Sequence, residues 1–371
     1  MKIVGIVAEY NPFHAGHRHH IEATRQRLGE ECCVVAAMSG NFVQRGDAAI
    51  TDKWARTRMA LEGGADLILE LPTVWAASSA ERFAMGAVSI LKLAGAEALS
   101  FGSESADRET LKAAAAALDS EQFQAALRRH LDGGLPFALC RQRAAEDLLG
   151  PAGAACLSSP NDNLGVEYLK AAGRLGFAPE VIAVPRVGAA HDGGDHPEYP
   201  SASHVRKQIL AGEVPMDNPG SLSFNERAVL SRLRAMSAVD FEQLPDCGEG
   251  LAVRLYEAAR KAVTLEEVYD LAKTKRYAHA RIRRAVLWAA LGLKESDRPA
   301  APPYLRVLGA NGRGRAVLKQ LPEEVTVITK PTHGKGIPLL ELEARCTDFY
   351  TLCRETVLPC GAEWTSSPVI F

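Results

Sequence analysis

Five short apolar runs recur in the first half of this 371-residue chain, at Ile3–Val7, Cys32–Met38, Asp66–Pro72, Leu99–Glu104 and Glu180–Pro185. They are rich in Val, Ile, Leu and Ala without strict alternation, the pattern of strands buried on both faces. The first four start 25 to 35 residues apart, enough for one crossover helix each. Asp52–Gly63 has helical spacing, and Ser78-Ser79-Ala80-Glu81 opens a second helix through Phe83, Ala87, Val88 and Leu91. Parallel neighbours need such crossovers, and these are right-handed. The spacing therefore predicts an α/β protein with a doubly wound parallel sheet, whose ligands sit at the carboxyl ends of the strands.

What the first strand delivers to that edge is the most informative local stretch. Asn11-Pro12 ends the apolar run, and His14-Ala15-Gly16-His17 opens a helix with Ile21 and Leu28 on one face. Two imidazoles three residues apart near a helix start project to roughly the same side. Gly16 admits close approach of a backbone or phosphate, and the unpaired N–H groups of a first turn favour anions. His14 and His17 are accordingly candidate phosphate ligands. A metal site is not expected, because His-x-x-His lacks third and fourth ligands nearby. From the residues alone, His19 and His20 read as exposed helix positions. The second strand runs into Ser39-Gly-Asn-Phe-Val-Gln-Arg45-Gly-Asp47, which offers Arg45 as a further phosphate contact.

Beyond Asp107 the pattern changes. Ala-rich helices at Leu111–Leu118, Phe123–Leu131 and Pro136–Leu149 read as a helical insertion over 107–150. The α/β pattern resumes with a turn-rich start at Ser158–Gly165 and the strand that ends at Arg186, again at the carboxyl edge. His191–Tyr199 reads as a polar loop. Ser201-Ala-Ser203-His-Val-Arg206 then leads into a helix where the serines and Arg206, one turn in, offer a phosphate site, although plain capping explains the serines equally well. A Gly- and Pro-containing linker near residue 218 precedes helices at Phe224–Met236, Gly250–Ala262 and Leu265–Ala272. Lys273–Arg284 (KTKRYAHARIRR) follows, with six Lys or Arg and no acid. At helical spacing Tyr277, Arg281 and Arg284 share a face, giving a basic strip with one ring for base stacking. Residues 301–371 mix a helix at Gly314–Gln320 with strand-like Val325–Ile328 and suggest no role.

A net charge of −2 excludes a general affinity for nucleic acid, so an RNA partner must be met by such a local patch. No apolar run reaches about 18 residues, and Met1-Lys2 leads straight into the first strand, so a cytoplasmic protein without a membrane partner is expected. The eight cysteines form no Cys-x-x-Cys and read as free thiols. Pro359 argues against placing Cys346, Cys353 and Cys360 on one continuous helix.

His-x-Gly-His after the first strand and Ser-x-Ser-x-x-Arg at the end of the α/β part resemble the two signatures of the adenylyl-transferring nucleotidyltransferases and class I synthetases, the HIGH-type superfamily of Rossmann-like (HUP) folds. More narrowly, GIVAEYNPFHAGHRHH, MSGNFVQRGDAAITDKWARTRMAL, GADLILELP, SAERFAMGAV, FGSES, SPNDNLGVEYLK and KTKRYAHARIRR, in order from residue 2 to about 320, resemble the bacterial tRNA(Met) cytidine acetate ligases. The resemblance implies a ligase that joins ATP and acetate to acetyl-adenylate and acetylates N4 of the wobble cytidine of elongator tRNA(Met). It implies catalytic roles for His14 and His17, and an ATP site made of Val7, Ala8, Glu9, Tyr10, Asn11, Pro12, Phe13, His14, Ala15, Gly16, His17, Arg18, His19 and His20 with Gly102, Asn161 and Arg186. Where the family motif has consecutive asparagines this chain has Asn161-Asp162-Asn163, and Asn161 is favoured as the nucleotide contact. Lys275, Arg276, Tyr277, Arg281 and Arg284 are the expected tRNA contacts. Magnesium is expected to accompany the ATP phosphates without a protein cage. The expected parts are a catalytic unit over 1–218, helical RNA-binding residues 219–300, and a small mixed end over 301–371. Two rival readings are a cofactor-pathway adenylyltransferase and a non-catalytic RNA-binding protein.

Overall fold

The computed structural model describes residues 1–133, 135–186 and 201–371. The expected loop His191–Tyr199 lies outside them. The five strands expected from the apolar runs are β1 (Ile3–Ala8), β2 (Cys33–Ser39), β3 (Leu67–Leu71), β4 (Ala98–Ser103) and β5 (Glu180–Pro185). They pair in parallel in the order β3-β2-β1-β4-β5. Helices α1 (Ala15–Leu28), α2 (Lys53–Glu62) and α3 (Ala80–Leu93) make the first crossovers. The strand order reverses about β1, and the carboxyl ends of β1 and β4 flank the switch point where open α/β sheets bind ligands. The three-helix insertion is α4 (Arg108–Leu118), α5 (Glu121–Asp132) and α6 (Phe137–Ala154), the last interrupted at Gly150. Helix α7 (Pro160–Arg174) returns the chain to β5, and α8 (Ala202–Leu210) follows.

The sheet is larger than the apolar runs indicate, and the C-terminal residues are not a separate small part. Strands β6 (Leu305–Ala310), β7 (Val327–Ile328) and β8 (Val369–Ile370) extend the same sheet beyond β3, with β6 antiparallel to β3. The helices of this end are α13 (Gly312–Leu318) and α14 (Pro338–Leu352). A buried ionic network ties it down. Lys53 Nζ on α2 lies 2.5 Å from both the Glu70 carboxylate on β3 and the Glu363 carboxylate. Arg306 on β6 pairs with the other oxygen of Glu363 at 3.3 Å. Glu343 on α14 accepts the Thr73 backbone N–H and hydroxyl at 2.7 and 2.8 Å. Two cations compensate three carboxyl groups, and burial together with Glu70 raises the Glu343 acid to about 8, so Glu343 stays protonated near neutrality and balances the charge.

The helical unit expected after residue 219 forms α9 (Glu226–Ala235), α10 (Leu251–Lys261), α11 (Leu265–Ala272) and α12 (His279–Leu291). It rests on the α/β part through α12: Trp288 Nε1–H donates to the Ala77 carbonyl (2.6 Å), and Arg283 pairs with Asp47. Gly46 has φ +77°, and a Cβ there would run into the Arg283–Arg284 backbone. This glycine therefore meets both a left-handed conformation and a close approach. The cysteines are free thiols, with only Cys360 exposed. Among the described residues no helix is long and apolar enough to cross a membrane.

Candidate active site

His14 is the N-cap of α1, and its Nδ1 accepts the Gly16 backbone N–H (3.1 Å). The bond is reciprocated: the His14 backbone N–H donates to His17 Nδ1 (3.2 Å), a capping box built from two histidines in place of the usual Ser and Glu. The rings stack with centroids 3.8 Å apart. Because both Nδ1 atoms accept, both neutral rings carry their proton on Nε2. The cap thus presents two N–H donors from one helix start. Burial and the nearby Arg186 and Arg206 charges lower His14 to about 4, and burial with His14 and His20 holds His17 well below its ordinary range. Both are neutral donors at physiological pH.

These rings line a cavity of about 290 Å³ at the carboxyl ends of β1, β4 and β5. Of the sequence-predicted residues, Val7, Ala8, Glu9, Tyr10, Asn11, His14, Gly16, His17, His19, His20, Gly102, Asn161 and Arg186 all line it. Arg186 follows β5, and its backbone N–H bonds the Ser103 carbonyl (3.0 Å). Gly102 lies beneath it, where a Cβ would touch the Arg186 side chain at 3.5 Å. His20 is not the exposed position its neighbours suggested. Its Nε2 bonds Ser100 Oγ (2.9 Å), and burial and His19 lower it to about 4.

Pro12, Phe13, Ala15 and Arg18 do not line the cavity. Phe13 packs edge-on against Tyr10 and over Gly63. Ala15 points outward from the first turn, and Arg18 reaches the Glu62 carbonyl (3.5 Å). A helix start shows only one side to a ligand, so a contiguous run cannot all touch it. Asn161 and Asn163 part in the same way. Asn161 faces the cavity with its amide on the Glu104 carboxylate (2.6 Å), while Asn163 accepts from Arg141 (2.7 Å). Asp162 between them is buried and holds the turn after β4, accepting from Ser103, Glu104 and Ser105.

The sequence offers Arg206, one turn after its serines, as a phosphate contact, whereas Arg56 escapes it. Arg206 lines the cavity, donating to the Asn11 carbonyl (2.7 Å) and to Ser203 Oγ (3.0 Å). The Ser-x-Ser-x-x-Arg pattern was its only signal. Ser201 does cap α8, accepting the His204 N–H. Arg56 on α2 is fully buried and donates to the carbonyls of Glu9, Ser39, Gly40 and Thr51. It satisfies the chain ends of β1 and β2 where they leave the sheet. Nothing in its neighbours on the chain marks that role.

The expected basic strip does not form a single face. Helix α12 begins only at His279, so Tyr277 precedes it. The Tyr277 ring is 6 % exposed and its hydroxyl donates to the Glu249 carbonyl (2.5 Å), which removes it as a stacking platform. Arg281 is engaged with the Asp246 carbonyl (2.7 Å) and the Glu249 carboxylate (3.0 Å), and Arg284 reaches the Gln44 carbonyl (3.3 Å). Lys275 and Arg276 are exposed.

The profile of the family described as HIGH Nucleotidyl Transferase matches residues 1–360. The tRNA(Met) cytidine acetate ligase of Clostridium perfringens is 33 % identical, with all of both chains covered. That of Caldicellulosiruptor saccharolyticus is 35 % identical over 95 % of this chain and 94 % of its own. Crystal structures of Thermotoga maritima TmcAL superpose over this whole chain and 99 % of theirs. The apo form has a TM-score of 0.93 at 29 % identity, and the form bound with alpha-thio ATP has 0.91 at 30 %.

Proposed function

This chain belongs to the tRNA(Met) cytidine acetate ligase family of HIGH nucleotidyltransferases, and from that premise we propose how its residues carry out the reaction. It is an ATP-dependent, tRNA-modifying ligase. The acid is acetate and the acceptor is N4 of the wobble cytidine of elongator tRNA(Met), in the cytoplasm. ATP occupies the cavity between β1, β4 and β5, its adenosine side toward Gly102 and Asn161 and its phosphates toward His14, His17 and Arg186.

Acetate is a poor electrophile, so one of its oxygens must first become part of a leaving group. An acetate oxygen attacks the α-phosphorus, pyrophosphate departs, and acetyl-adenylate remains. Negative charge builds on the α-phosphoryl oxygens and on pyrophosphate. The Nε2–H groups of His14 and His17 are held by the reciprocal cap and the Arg206 guanidinium by Asn11 and Ser203, so these donors are fixed before the reaction, which is what makes such stabilisation effective. Arg45 and Arg186 add positive charge at the cavity wall. The histidines contribute as neutral dipoles, leaving the positive charge to the arginines.

Magnesium accompanies the nucleotide in this reading. Glu9 is the one carboxylate among the described cavity-lining residues. No group of three His, Cys, Asp or Glu able to hold a metal ion occurs among the described residues. A phosphate-bound ion fits that donor set and would neutralise charge on the triphosphate.

Lys275 and Arg276 offer exposed charge to the tRNA backbone. The observation that carries the reading is the two-histidine cap aimed, with Arg186 and Arg206, into one nucleotide-sized cavity. Mass spectrometry of nucleosides from tRNA(Met) incubated with ATP, labelled acetate and this enzyme tests it. Labelled N4-acetylcytidine is expected; label on no nucleoside would overturn it.

A further inference from the structure

A second cavity of about 970 Å³ lies beside the first and shares Glu9, Asn11, Gln44, Arg45, Ser203 and Arg206 with it. Its outer wall carries Lys207, His279, Arg283 and Arg284. That is room for a nucleotide, with cations where an RNA backbone would run. An acceptor base entering there would meet the activated acyl group where the two cavities join.

Transfer of the acyl group has a need that the phosphate donors do not meet. As N4 of cytidine bonds the acetyl carbon it acquires positive charge and must lose a proton. His14 and His17 are unsuited, because each Nδ1 already accepts a backbone N–H and each Nε2 already carries a proton. Asp47 borders the second cavity only and is committed: Oδ1 accepts the Ala48 and Leu222 N–H groups at 2.8 and 3.0 Å, and Oδ2 pairs with Arg283. His204 and His279 also line the second cavity alone.

Glu9 differs in bordering both cavities and in carrying a backbone N–H on one oxygen without, among the described residues, an arginine partner on the other. It directly follows β1 and borders both cavities. Its Oε1 accepts the Gln44 N–H (2.8 Å), and its carbonyl is held by Arg56 (2.7 Å), so the carboxylate is fixed at the junction. A carboxylate is also the natural acceptor for the exocyclic amine of cytosine.

Building on the function proposed above, we propose that Glu9 is a catalytic residue of the transfer step: it accepts an N–H of the acceptor's exocyclic amine and takes its proton. The N4–C bond forms, the bond from the acetyl carbon to the adenylate oxygen breaks, AMP leaves with that electron pair, and the proton passes to the Glu9 carboxylate.

The test compares the wild-type enzyme with Glu9→Gln and Glu9→Asp. Gln keeps a carbonyl for the Gln44 N–H but cannot take a proton. Two acceptors are used with ATP and acetate: tRNA, and hydroxylamine, which discharges acetyl-adenylate without a protein base. For Glu9→Gln, kcat for tRNA acetylation is expected to fall about 100-fold or more, hydroxamate formation to fall far less, and Glu9→Asp to recover part of the tRNA rate. Equal losses with both acceptors, or an unchanged tRNA rate, would overturn the role of Glu9. If the wild-type enzyme formed hydroxamate but acetylated no tRNA, the function proposed above would fail instead.

Discussion

Replacing His14 probes fold and chemistry together, because one side chain does two separable things. Its Nδ1 caps α1 and its Nε2–H faces the cavity. Loss of an N-cap acceptor costs about 1 kcal/mol, and loss of one donor to developing negative charge costs about 3 kcal/mol of transition-state stabilisation. His14→Ala should therefore lower unfolding stability by about 1 kcal/mol and slow acetyl-adenylate formation by a factor of about 10² to 10³. His14→Asn separates the two, since Asn is a good N-cap but is too short to reproduce the outer donor. It should regain most of the stability and none of the rate. The assays are urea denaturation and acetate-dependent ATP–pyrophosphate exchange, and tRNA binding should stay near wild type in both variants. An Asn variant with wild-type exchange would refute the donor role. An Ala variant with unchanged stability would refute the cap.

The other expectations follow from the same geometry. Arg186→Ala should weaken ATP binding by roughly 1.5–3 kcal/mol, the value of a charge-assisted hydrogen bond; unchanged affinity by calorimetry would make Arg186 structural. Neutralising Lys275 and Arg276 should leave adenylate formation running and reduce the salt slope of tRNA binding by about 0.7 to 0.9 per lost phosphate contact. Arg281→Ala should instead lower thermal stability, because Arg281 holds the Asp246 and Glu249 turn. Lys53→Met leaves Glu70 and Glu363 short of their buried cation and should cost about 3–5 kcal/mol, read by denaturant unfolding. The lowered values of His14 and His20, about 4 against 6.5, mean that between those values the unfolded chain binds protons the folded chain does not. The contribution of these two rings should be full above pH 6.5 and be lost as the pH drops toward 4, opposed in part by Glu343, whose raised value makes the folded chain hold a proton the unfolded chain lacks above pH 4.5; an acid-side profile unchanged by His20→Gln would contradict the burial of that ring.

The chain's local pattern determined the parallel half of the sheet, the crossover helices and the cap at His14. Each depends on residues within one or two turns of one another: an apolar run long enough to be buried, a helix start, a turn at Asn11-Pro12. For the same reason the part of the cavity lining that β1, its loop and the start of α1 supply was readable, since those residues are contiguous. Only the tertiary structure decided what depends on partners distant in sequence. Strand β6 joins β3 across more than 200 residues because Lys53, Glu70, Arg306 and Glu363 compensate one another once buried, and none of them is marked as buried by its neighbours. Tyr277 belongs to the core because Glu249 accepts its hydroxyl, although its basic neighbours suggest a surface. Arg56 looks like any helix arginine until the carbonyls it satisfies come together at the ends of β1 and β2. Hydrophobic period and turn chemistry are local properties, whereas compensation of buried charge and buried carbonyls is settled only when the elements meet.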